Sequence, residues 1–458
     1  MHFCAGLQLS RQSGAGGTPA TPSISDYNTA SGVTPDFVFD GAEQRAFVSS
    51  APAANDWSGL IDSNFVRASS AIYFDSAGAA QTAASGVPRN GHHIFDGAEW
   101  VNRGLLMEPS RTNSFPRSTD LTASGWNGFV SLARARNEVG VRGGANEATT
   151  LTDPSGSGIS ALGRVVTIPN DSKPNVVSLF IKKDTNQSRF PEFRWIASGG
   201  STPLTLAAQI NTQTGATAYR AHPAGSSIAV EKYGDWWRVI LVVTNNSTGN
   251  TTGDFLIYPA HGLTLGGTDN SATGSVIVDL PQAELEESYP SMPIPSEGST
   301  VTRAADDLEI PNTAYPFTAD AAGSAIIEFL LEDIPTETLV IWELGSASNL
   351  NRLTLRLEAG NVRAQLRRGS LTQVNTALGP PVVGVNKVAL AWNTNDFAGY
   401  LNDNSIRTDS TLDTPTSAFN KMYIGGGFNN HLLRIVVARV RHFDAVRLPN
   451  AVLEAEAS

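Results

Sequence analysis

Apolar and polar residues alternate most strictly between positions 353 and 367 of the chain. Three leucines alternate with polar residues over 353–358, and after Gly360-Asn361 the alternation resumes over 362–367. Because successive side chains of a strand point to opposite faces, this pattern predicts a β-hairpin with one dry face and one wet face. Further strands are predicted beyond it, and Pro449 favours a short helical tail over 450–455.

Short apolar runs recur between residues 112 and 310. Clusters rich in Asn, Ser, Thr and Gly separate them, as at 245–250. Regular short strands joined by such loops predict a β-sandwich or jelly roll. A Pro-rich stretch at 289–295 predicts an extended junction after it. The predicted strands lie at 176–181, 204–210, 236–243, 254–258 and 275–280.

The first 110 residues are rich in Gly, Ala, Ser and Pro, and their apolar runs are very short. Residues 13–19 are too small and polar to pack a core. We therefore predict an extended N-terminal arm with a small β region. The expected fold class is all-β in three parts, with boundaries at 1–110, 111–310 and 311–458.

Composition and charge narrow the function. The chain has 458 residues, of which 16% are charged, and a formal net charge of −11. An acidic chain has no general attraction for phosphate backbones, so nucleic-acid binding is disfavoured. No stretch approaches about 18 apolar residues, and the first residues lack a basic n-region. We expect no membrane insertion, no signal peptide and synthesis in a cytoplasm. The single cysteine, Cys4, is predicted to have no role.

Several segments of the chain carry a resemblance to a known class of protein. The segment 67–78, Pro88-Arg89 and the segment 104–113 look like a recurring pattern of phage fibre proteins, of the form RAS, PR and GLL-x-E-x-x-RTN. The chain therefore resembles phage tail-fibre or head-fibre (spike) structural proteins, including those of gene-transfer particles. Three further segments are similar to a carbohydrate-binding-module-like jelly roll and its exit: 234–238, 282–286 and 300–306. Three more are similar to a laminin-G/concanavalin-like sandwich: 386–402, 422–425 and 435–443.

The resemblance implies a function and a location. It implies a virion surface protein, made in a bacterial cytoplasm, that binds host cell-surface polysaccharide without catalysis. Residues 1–110 would attach it to other virion proteins, the region 111–310 would be the jelly roll, and 311–458 the laminin-G/concanavalin-like β-sandwich. Homo-oligomers are expected, because several weak sugar sites gain avidity together. The resemblance does not distinguish the head of a particle from its tail.

Sugar binding needs aromatic faces that stack on sugar rings, and polar side chains that bond the hydroxyls. Such residues occur in both predicted sandwiches. For each aromatic ring the alternative is ordinary core packing. The candidate carbohydrate-binding residues are Trp126, Trp195, Tyr258, Tyr400, Asn402, Asp403, Asn429 and Asn430.

Two other functions stay open. A polysaccharide depolymerase would need a pair of carboxyl groups about 5–9 Å apart, for which Asp306-Asp307 and the glutamates at 284–287 are candidates, although no known catalytic motif is present. A purely structural decoration protein of the capsid or tail would need no binding or catalytic site. No cofactor is expected. A structural Ca²⁺ is an open alternative at the Asn/Asp-rich turns 268–270 and 393–396, whereas His92-His93 is predicted to be a surface loop.

Overall fold

The computed structural model describes residues 23–49, 57–154, 156, 158–185, 189–317, 322–332, 334, 338–346, 350–369, 371–410, 419–427 and 434–458. Strands dominate this part of the chain. The all-β prediction is therefore confirmed. Among the described residues the longest helix is α2, Asn450–Ala457, with eight residues. No helix in the described ranges has the length or the apolar character to cross a membrane.

The strands are numbered in chain order. The N-terminal region contributes β1 (Phe37–Asp40), β2 (Arg45–Val48), β3 (Phe65–Val66), β4 (Ala71–Phe74), β5 (Ala80–Ala83), β6 (His93–Phe95), β7 (Trp100–Asn102), β8 (Leu105–Met107) and β9 (Arg111–Asn113). Short helices lie at Ile24–Tyr27, Trp57–Leu60 (α1) and Asp62–Asn64.

The described residues of the middle region form twelve strands. They are β10 (Asn127–Phe129), β11 (Ala133–Glu138), β12 (Ala148–Asp153), β13 (Ala161–Thr167), β14 (Pro174–Lys182), β15 (Phe190–Ser198), β16 (Leu204–Ile210), β17 (Thr217–Ala221), β18 (Ser226–Tyr233), β19 (Trp236–Thr244), β20 (Thr252–Gly262) and β21 (Gly274–Glu284).

Another twelve strands lie in the part of the C-terminal region that the structure describes. They are β22 (Val301–Arg303), β23 (Asp307–Pro311), β24 (Gly323–Leu331), β25 (Leu339–Gly345), β26 (Arg352–Glu358), β27 (Asn361–Arg368), β28 (Leu371–Gly379), β29 (Gly384–Asn393), β30 (Asp396–Leu401), β31 (Arg407–Asp409), β32 (Lys421–Ile424) and β33 (Ile435–Asp444).

The middle strands form a sandwich of two six-stranded antiparallel sheets. The front sheet has the order β10-β13-β20-β15-β16-β17, and the back sheet has the order β11-β12-β21-β14-β19-β18. Alternation along each strand puts one set of side chains between the sheets. Phe193, Trp195 and Phe255 of the front sheet meet Leu179 and Leu241 of the back sheet in this core.

A second sandwich contains the predicted C-terminal hairpin, β26–β27. Its inner sheet faces meet around Trp342, Leu355 and Trp392. One sheet has the order β28-β27-β26-β25-β32-β23-β3. The other has the order β2-β1-β33-β24-β29-β30-β31, with β8 paired to β33.

The N-terminal region differs from the predicted separate arm. Strands β1, β2, β3 and β8 are part of the second sandwich, where Phe39 lies opposite Val440 and Phe37, Phe65 and Met107 are buried in its core. Strands of two to four residues cannot be stable alone, so they gain stability by completing sheets formed by residues far along the chain. The predicted boundary at 110 therefore does not coincide with a structural boundary.

The two sandwiches meet at an apolar junction. Phe180 and Trp236 on the outer face of the back sheet pack in one cluster with Met292, Leu330 and Val436. No described residue of the front-sheet strands belongs to this cluster. The second sandwich thus covers the back sheet at the junction and leaves the outer face of the front sheet outside this contact.

Beside the apolar cluster lies a buried ionic network, which we call the junction network: Arg67, Arg89, Glu108, Arg303, Asp306, Glu332 and Arg434. Arg67 Nη1 donates to Asp306 Oδ1 at 2.9 Å, Arg89 bonds both Glu108 and Asp306, and Arg303 Nη1 lies 3.0 Å from Glu108 Oε2. The exposed fraction of the side chain is at most 2% in five members of the network: Arg67, Arg89, Glu108, Arg303 and Asp306.

The junction network joins the same segments that carry the sequence resemblance. Arg67 comes from the RAS segment, Arg89 follows Pro88, and Glu108 lies in 104–113. Burial alone would raise the pKa of Glu108, but the guanidinium groups of Arg303, Arg89 and Arg434 outweigh it and hold that pKa well below its ordinary value. These motif residues therefore act as paired internal charges that fix the junction.

Candidate functional site

The two predicted tryptophans lie in the core of the first sandwich. Trp126 is 2% exposed and Trp195 is 1% exposed, and Trp126 Nε1 donates to the carbonyl of Arg117 at 3.0 Å. A buried ring cannot present a face to a sugar. The prediction that these residues bind carbohydrate is therefore corrected, because both side chains point inward between the sheets.

The predicted residues of the second sandwich do not form a binding site in the described part of the chain. Tyr400 is 5% exposed and packs in one cluster with Leu453 of α2, so it too is corrected to a packing residue. Asn402 has a positive φ of 49°, and its Oδ1 accepts from Lys387 N at 2.9 Å, which fixes a turn. Asp403 is exposed at the same turn. Asn429 and Asn430 lie outside the described residues.

Tyr258 is the predicted aromatic residue that lies on an open face. It sits on β20, directly opposite Glu192 of β15, and it is partly exposed. Phe193 and Trp195 point into the core. Glu192 and Arg194 alternate with them along the strand and therefore point outward. Tyr258 and these two charged residues therefore share the outer face of the front sheet.

Six residues form a polar cluster there, which we call the outer-face site: Glu192, Arg194, Gln209, Arg220, Tyr258 and His261. Glu192 is at its centre with a fully buried side chain. Arg194 Nε donates to Glu192 Oε1 at 3.0 Å, and Arg220 Nε lies 3.2 Å from Glu192 Oε2. The guanidinium of Arg194 stacks over the Tyr258 ring, 4.7 Å from its centroid.

The rim of the outer-face site is held by Gln209. Its Nε2 donates to the carbonyl of Gly267 at 2.6 Å and its Oε1 accepts from Gly266 N at 2.6 Å. The same amide lies 3.1 Å from His261 Nδ1. Burial lowers the pKa of His261, so a neutral ring that accepts from Gln209 fits better than an ion pair with Glu192.

Among the six residues of the outer-face site the positive charges outnumber the negative ones, and Asp254 on the same face of β20 is near enough to act on the pKa of Tyr258. Two guanidinium groups share one carboxylate, while His261 is neutral and burial raises the pKa of Tyr258, which keeps its phenol protonated. The side chains of Arg194 and Arg220 are 25% and 26% exposed. Planar guanidinium groups with free donors bind carboxylates in two-point contacts. The arrangement suits an anionic or polyhydroxylated ligand.

Sequence reasoning found Tyr258 but missed its charged neighbours. The signal was present in the segment Phe190-Pro191-Glu192-Phe193-Arg194-Trp195, where two charged residues alternate with two large aromatics. Such alternation predicts a strand with one charged face. Attention to the aromatic residues selected Trp195, which lies on the opposite face of the same strand.

The carboxylates considered for a depolymerase are engaged in other contacts. Asp306 belongs to the junction network, and Glu284 accepts from Ser291 N at 2.9 Å. Glu286 pairs with Lys173, and Glu287 Oε2 lies 2.6 Å from Arg111 Nη2. Asp307 differs from these carboxylates, because burial raises the pKa of its carboxyl group above the ordinary value.

The turns considered for Ca²⁺ bond within the protein. Asp269 Oδ1 accepts from Ser271 N at 2.8 Å, and Asp396 forms a two-point contact with Arg447, at 2.8 and 2.9 Å. Within the described ranges, no group of three or more His, Cys, Asp or Glu residues is arranged to hold a metal ion.

The predicted surface loop at His92-His93 is wrong, because His92 is buried and His93 is the first residue of strand β6. His92 is 1% exposed, and its Nδ1 accepts from Phe74 N at 3.2 Å. His93 is partly exposed and its Nδ1 lies 2.8 Å from Gly91 O. The two rings therefore have separate partners and do not share a ligand.

Comparisons with known proteins give no family. No family model matches the chain, and no curated protein is significantly similar to it. Among solved structures, a Ruminococcus gnavus sialidase CBM40 bound to sialyllactose is 18% identical, covers 31% of this chain and 84% of its own, and has a TM-score of 0.26.

Two more solved structures show the same level of similarity. Domain 4 of a Geobacillus stearothermophilus arabinanase with arabinotriose is 13% identical over 34% of this chain and 73% of its own, with a TM-score of 0.29. Mouse laminin α1 domains LG4-5 are 13% identical over 62% of this chain and 85% of their own, with a TM-score of 0.21. Similarities of this size assign neither a family nor a ligand. The strand pairing described above establishes the fold.

Proposed function

We propose that this protein binds polysaccharide without cleaving it, through the outer-face site, and that it prefers sugars that carry a carboxylate. The observation that carries the proposal is the pairing of Arg194 and Arg220 around the single buried carboxylate of Glu192. A sugar carboxylate would supply the missing negative charge. The hydroxyl groups of the same sugar would meet the Tyr258 phenol and the remaining guanidinium donors.

The geometry supports recognition more than catalysis. Glycoside hydrolysis needs two carboxyl groups across the bond, one of them with a raised pKa. In the outer-face site Glu192 is the single carboxylate among the six residues, and two arginines hold it. The depolymerase alternative therefore has no support from this site, although it is tested by the same experiment.

The test is a set of binding and activity measurements on capsular polysaccharides and lipopolysaccharides. We expect the intact protein to bind at least one acidic polymer and to release no new reducing ends. We expect Tyr258→Ala and Arg220→Gln each to weaken binding by roughly tenfold or more, since a hydrogen bond to a charged group contributes about 1.5–3 kcal/mol.

The matched control is Arg136→Gln, an exposed arginine on β11 of the other sheet, which should bind as the unchanged protein does. A fall in polymer length would favour the depolymerase. Unchanged binding in both site variants would remove the outer-face site from the function.

We further propose that the protein is a virion surface fibre or spike of a phage or phage-like particle, made in a bacterial cytoplasm and assembled as a homo-oligomer. The support is the resemblance of 67–78 and 104–113, whose residues Arg67 and Glu108 belong to the junction network. Antibody labelling of particles in electron micrographs should place the protein at the head surface or at the tail tip. Absence of label from intact particles would contradict this location, and normal adsorption after loss of the protein would favour structural decoration.

A further inference from the structure

The outer-face site borders a second surface on the same side of the front sheet. Phe255 and Ile257 of β20 point into the core. Asp254 and Leu256 alternate with them along the strand and therefore point outward. Leu256 is directly opposite Arg194 of the outer-face site, so Asp254, two residues away, belongs to the neighbouring row of outward side chains. The binding of a sugar carboxylate by the outer-face site leaves this row without a role.

Asp254 lies between two aliphatic side chains. It is directly opposite Val165 of β13 on one side and Ile196 of β15 on the other. Opposed side chains on neighbouring strands lie about 5 Å apart. Among the described residues, none donates a hydrogen bond to the Asp254 carboxylate or pairs with its charge, and partial burial raises its pKa. A carboxylate with apolar neighbours gains stability when a ligand supplies the missing donor.

An aromatic ring extends this surface to the edge of the front sheet. The Phe129 ring of β10 lies over Gly163 of β13 and beside Leu256, because a Cβ atom at position 163 would lie 2.8 Å from both Phe129 Cε2 and Leu256 Cδ2. Phe129 is 47% exposed and Val165 is 54% exposed. The carboxylate of Asp254 is thus surrounded by accessible apolar groups. We call this surface the Asp254 subsite: Phe129, Val165, Ile196, Asp254 and Leu256.

The Asp254 subsite needs two things from a ligand, a donor for the carboxylate and an apolar group for the side chains around it. A sugar hydroxyl supplies only the donor. A free amino group would pair with the carboxylate and leave the aliphatic side chains without a partner. An acetamido group supplies both, because its amide is planar and trans, which places the N–H and the methyl group on the same side.

We propose that the polysaccharide bound at the outer-face site carries an acetamido group, which the Asp254 subsite recognises. The acetamido N–H donates to the Asp254 carboxylate, and the methyl group packs between Val165 and Ile196. Asp254 is diagonal to Arg194 across the strand pair, and diagonal neighbours lie about 7–8 Å apart. The carboxylate and the acetamido group can therefore come from one sugar or from two adjacent sugars. Recognition of this kind rests on the proposed function and narrows it to acidic, N-acetylated polysaccharides.

The test compares polymers that differ in these two groups. Hyaluronan, unsulfated chondroitin and colominic acid carry carboxylates and acetamido groups, polygalacturonate carries carboxylates alone, and chitin oligosaccharides carry acetamido groups alone. We expect the full-length protein to bind at least one of the first three roughly tenfold or more tightly than polygalacturonate or chitin oligosaccharides. Removal of the acetyl groups from that polymer should weaken its binding by a similar factor, and chemical re-acetylation should restore it.

Two variants test the residues of the Asp254 subsite. Asp254→Leu removes the acceptor and keeps a side chain of similar size, so binding of the acetylated polymer should weaken roughly tenfold. Binding of polygalacturonate should stay as it is or become tighter, because a negative charge near the sugar carboxylate is lost. Phe129→Ala should also weaken the acetylated polymer selectively. The matched control is Asp403→Leu, at an exposed aspartate of the second sandwich, which should bind every polymer as the unchanged protein does.

A third variant separates the acetamido preference from the proposed function. Arg194→Gln/Arg220→Gln should lose affinity for polygalacturonate and for the acetylated polymer alike, whereas Asp254→Leu should lose only the preference for the acetamido group. Equal binding of the acetylated polymer and its de-acetylated form by the unchanged protein would overturn the acetamido preference and leave the proposed function standing. An unchanged preference in Asp254→Leu would do the same. Absence of binding to every acidic polymer would overturn both.

Thermal unfolding gives a readout that a merely structural role of Asp254 would not produce. Asp254→Leu replaces a partly buried carboxylate by an apolar side chain among apolar neighbours, so its melting temperature should equal or exceed that of the unchanged protein. The acetylated polymer should raise the melting temperature of the unchanged protein and raise that of the variant less. A melting temperature of the variant well below that of the unchanged protein would mean that Asp254 serves the fold, and would overturn its assignment as the ligand acceptor.

Discussion

The junction network and the outer-face site are built from the same chemical groups and have different consequences. In both, arginine guanidinium groups surround a buried carboxylate. In the junction network, the side chains of Arg67, Arg89 and Arg303 are at most 2% exposed, and several carboxylates share the arginines. In the outer-face site one carboxylate serves two arginines, and a quarter of each arginine side chain reaches solvent.

This comparison shows how charge balance and exposure distinguish a scaffold from a binding surface. A fully buried ion cluster must be compensated internally, because an unpaired charge in the interior costs several kcal/mol. A partly exposed cluster can keep a surplus charge, because water solvates it until a ligand arrives. The first arrangement holds two sandwiches together, and the second leaves donors available.

The largest expected effect is on the junction network. Glu108→Gln keeps the shape of the side chain but removes the negative charge between Arg89 and Arg303. Breaking a buried ion pair by removing one partner costs about 3–5 kcal/mol, and we expect a loss of that size in the free energy of unfolding, measured with urea. Glu43→Gln, at an exposed ion pair with Arg45, should change it by about 0.5 kcal/mol or less. Similar small changes in both variants would show that the network is not compensated as described.

The next effect depends on pH and concerns the core of the second sandwich. His442 Nδ1 is hydrogen bonded to Tyr315 Oη at 2.7 Å, and burial lowers the pKa of His442 to about 4, against a smaller opposing effect of Asp444. In the unfolded chain histidine titrates near 6.5. The unfolded state therefore takes up the proton first, and the stability present above pH 6.5 falls by up to about 3 kcal/mol as the pH falls to 4.

His442→Asn places a polar atom close to the position of Nδ1 and removes the titration. The difference in unfolding free energy between the variant and the unchanged protein should shrink between pH 6.5 and pH 4. Chemical denaturation at four or five pH values measures it. A constant difference over that range would mean that His442 does not titrate as its burial requires.

The smallest effect in free energy concerns the outer-face site, where stability and binding should separate. Arg194→Gln removes one of the two cations beside the buried Glu192 carboxylate, but Arg220 stays and the new amide can still donate a hydrogen bond. The free energy of unfolding should therefore fall by about 1–2 kcal/mol, less than for Glu108→Gln. Binding of an acidic polysaccharide should weaken roughly tenfold or more, because a charge-assisted hydrogen bond is lost. A large loss of stability would place Arg194 with the scaffold arginines.

The sequence predicted those parts of the fold in which periodicity is local. The hairpin of 353–367 appears as β26 and β27, the run 176–181 lies inside β14, and the tail predicted from Asn450 is α2. Alternation shows that one face of a strand is buried, and it shows this without knowledge of the partner.

The sequence did not predict the features that depend on distant partners. Strand β1 pairs with β33, about four hundred residues further along the chain, and nothing local in 37–40 indicates this. Trp195 illustrates a second limit, because an aromatic residue looks the same in a core and at a sugar site. The charged residues Glu192 and Arg194, which alternate with Phe193 and Trp195, indicate which face is buried, and they would have selected Arg194.

The central claim is that a sugar carboxylate completes the charge balance of the outer-face site. The most direct measurement is an array on which each acidic bacterial polysaccharide is printed beside its carboxyl-reduced form, in which every carboxylate has become a neutral hydroxymethyl group. The account predicts that the protein binds at least one acidic polymer, that carboxyl reduction abolishes this binding, and that Arg194→Gln/Arg220→Gln abolishes it too. Equal binding to the acidic and the reduced forms, or no binding to any polymer on the array, would contradict the account.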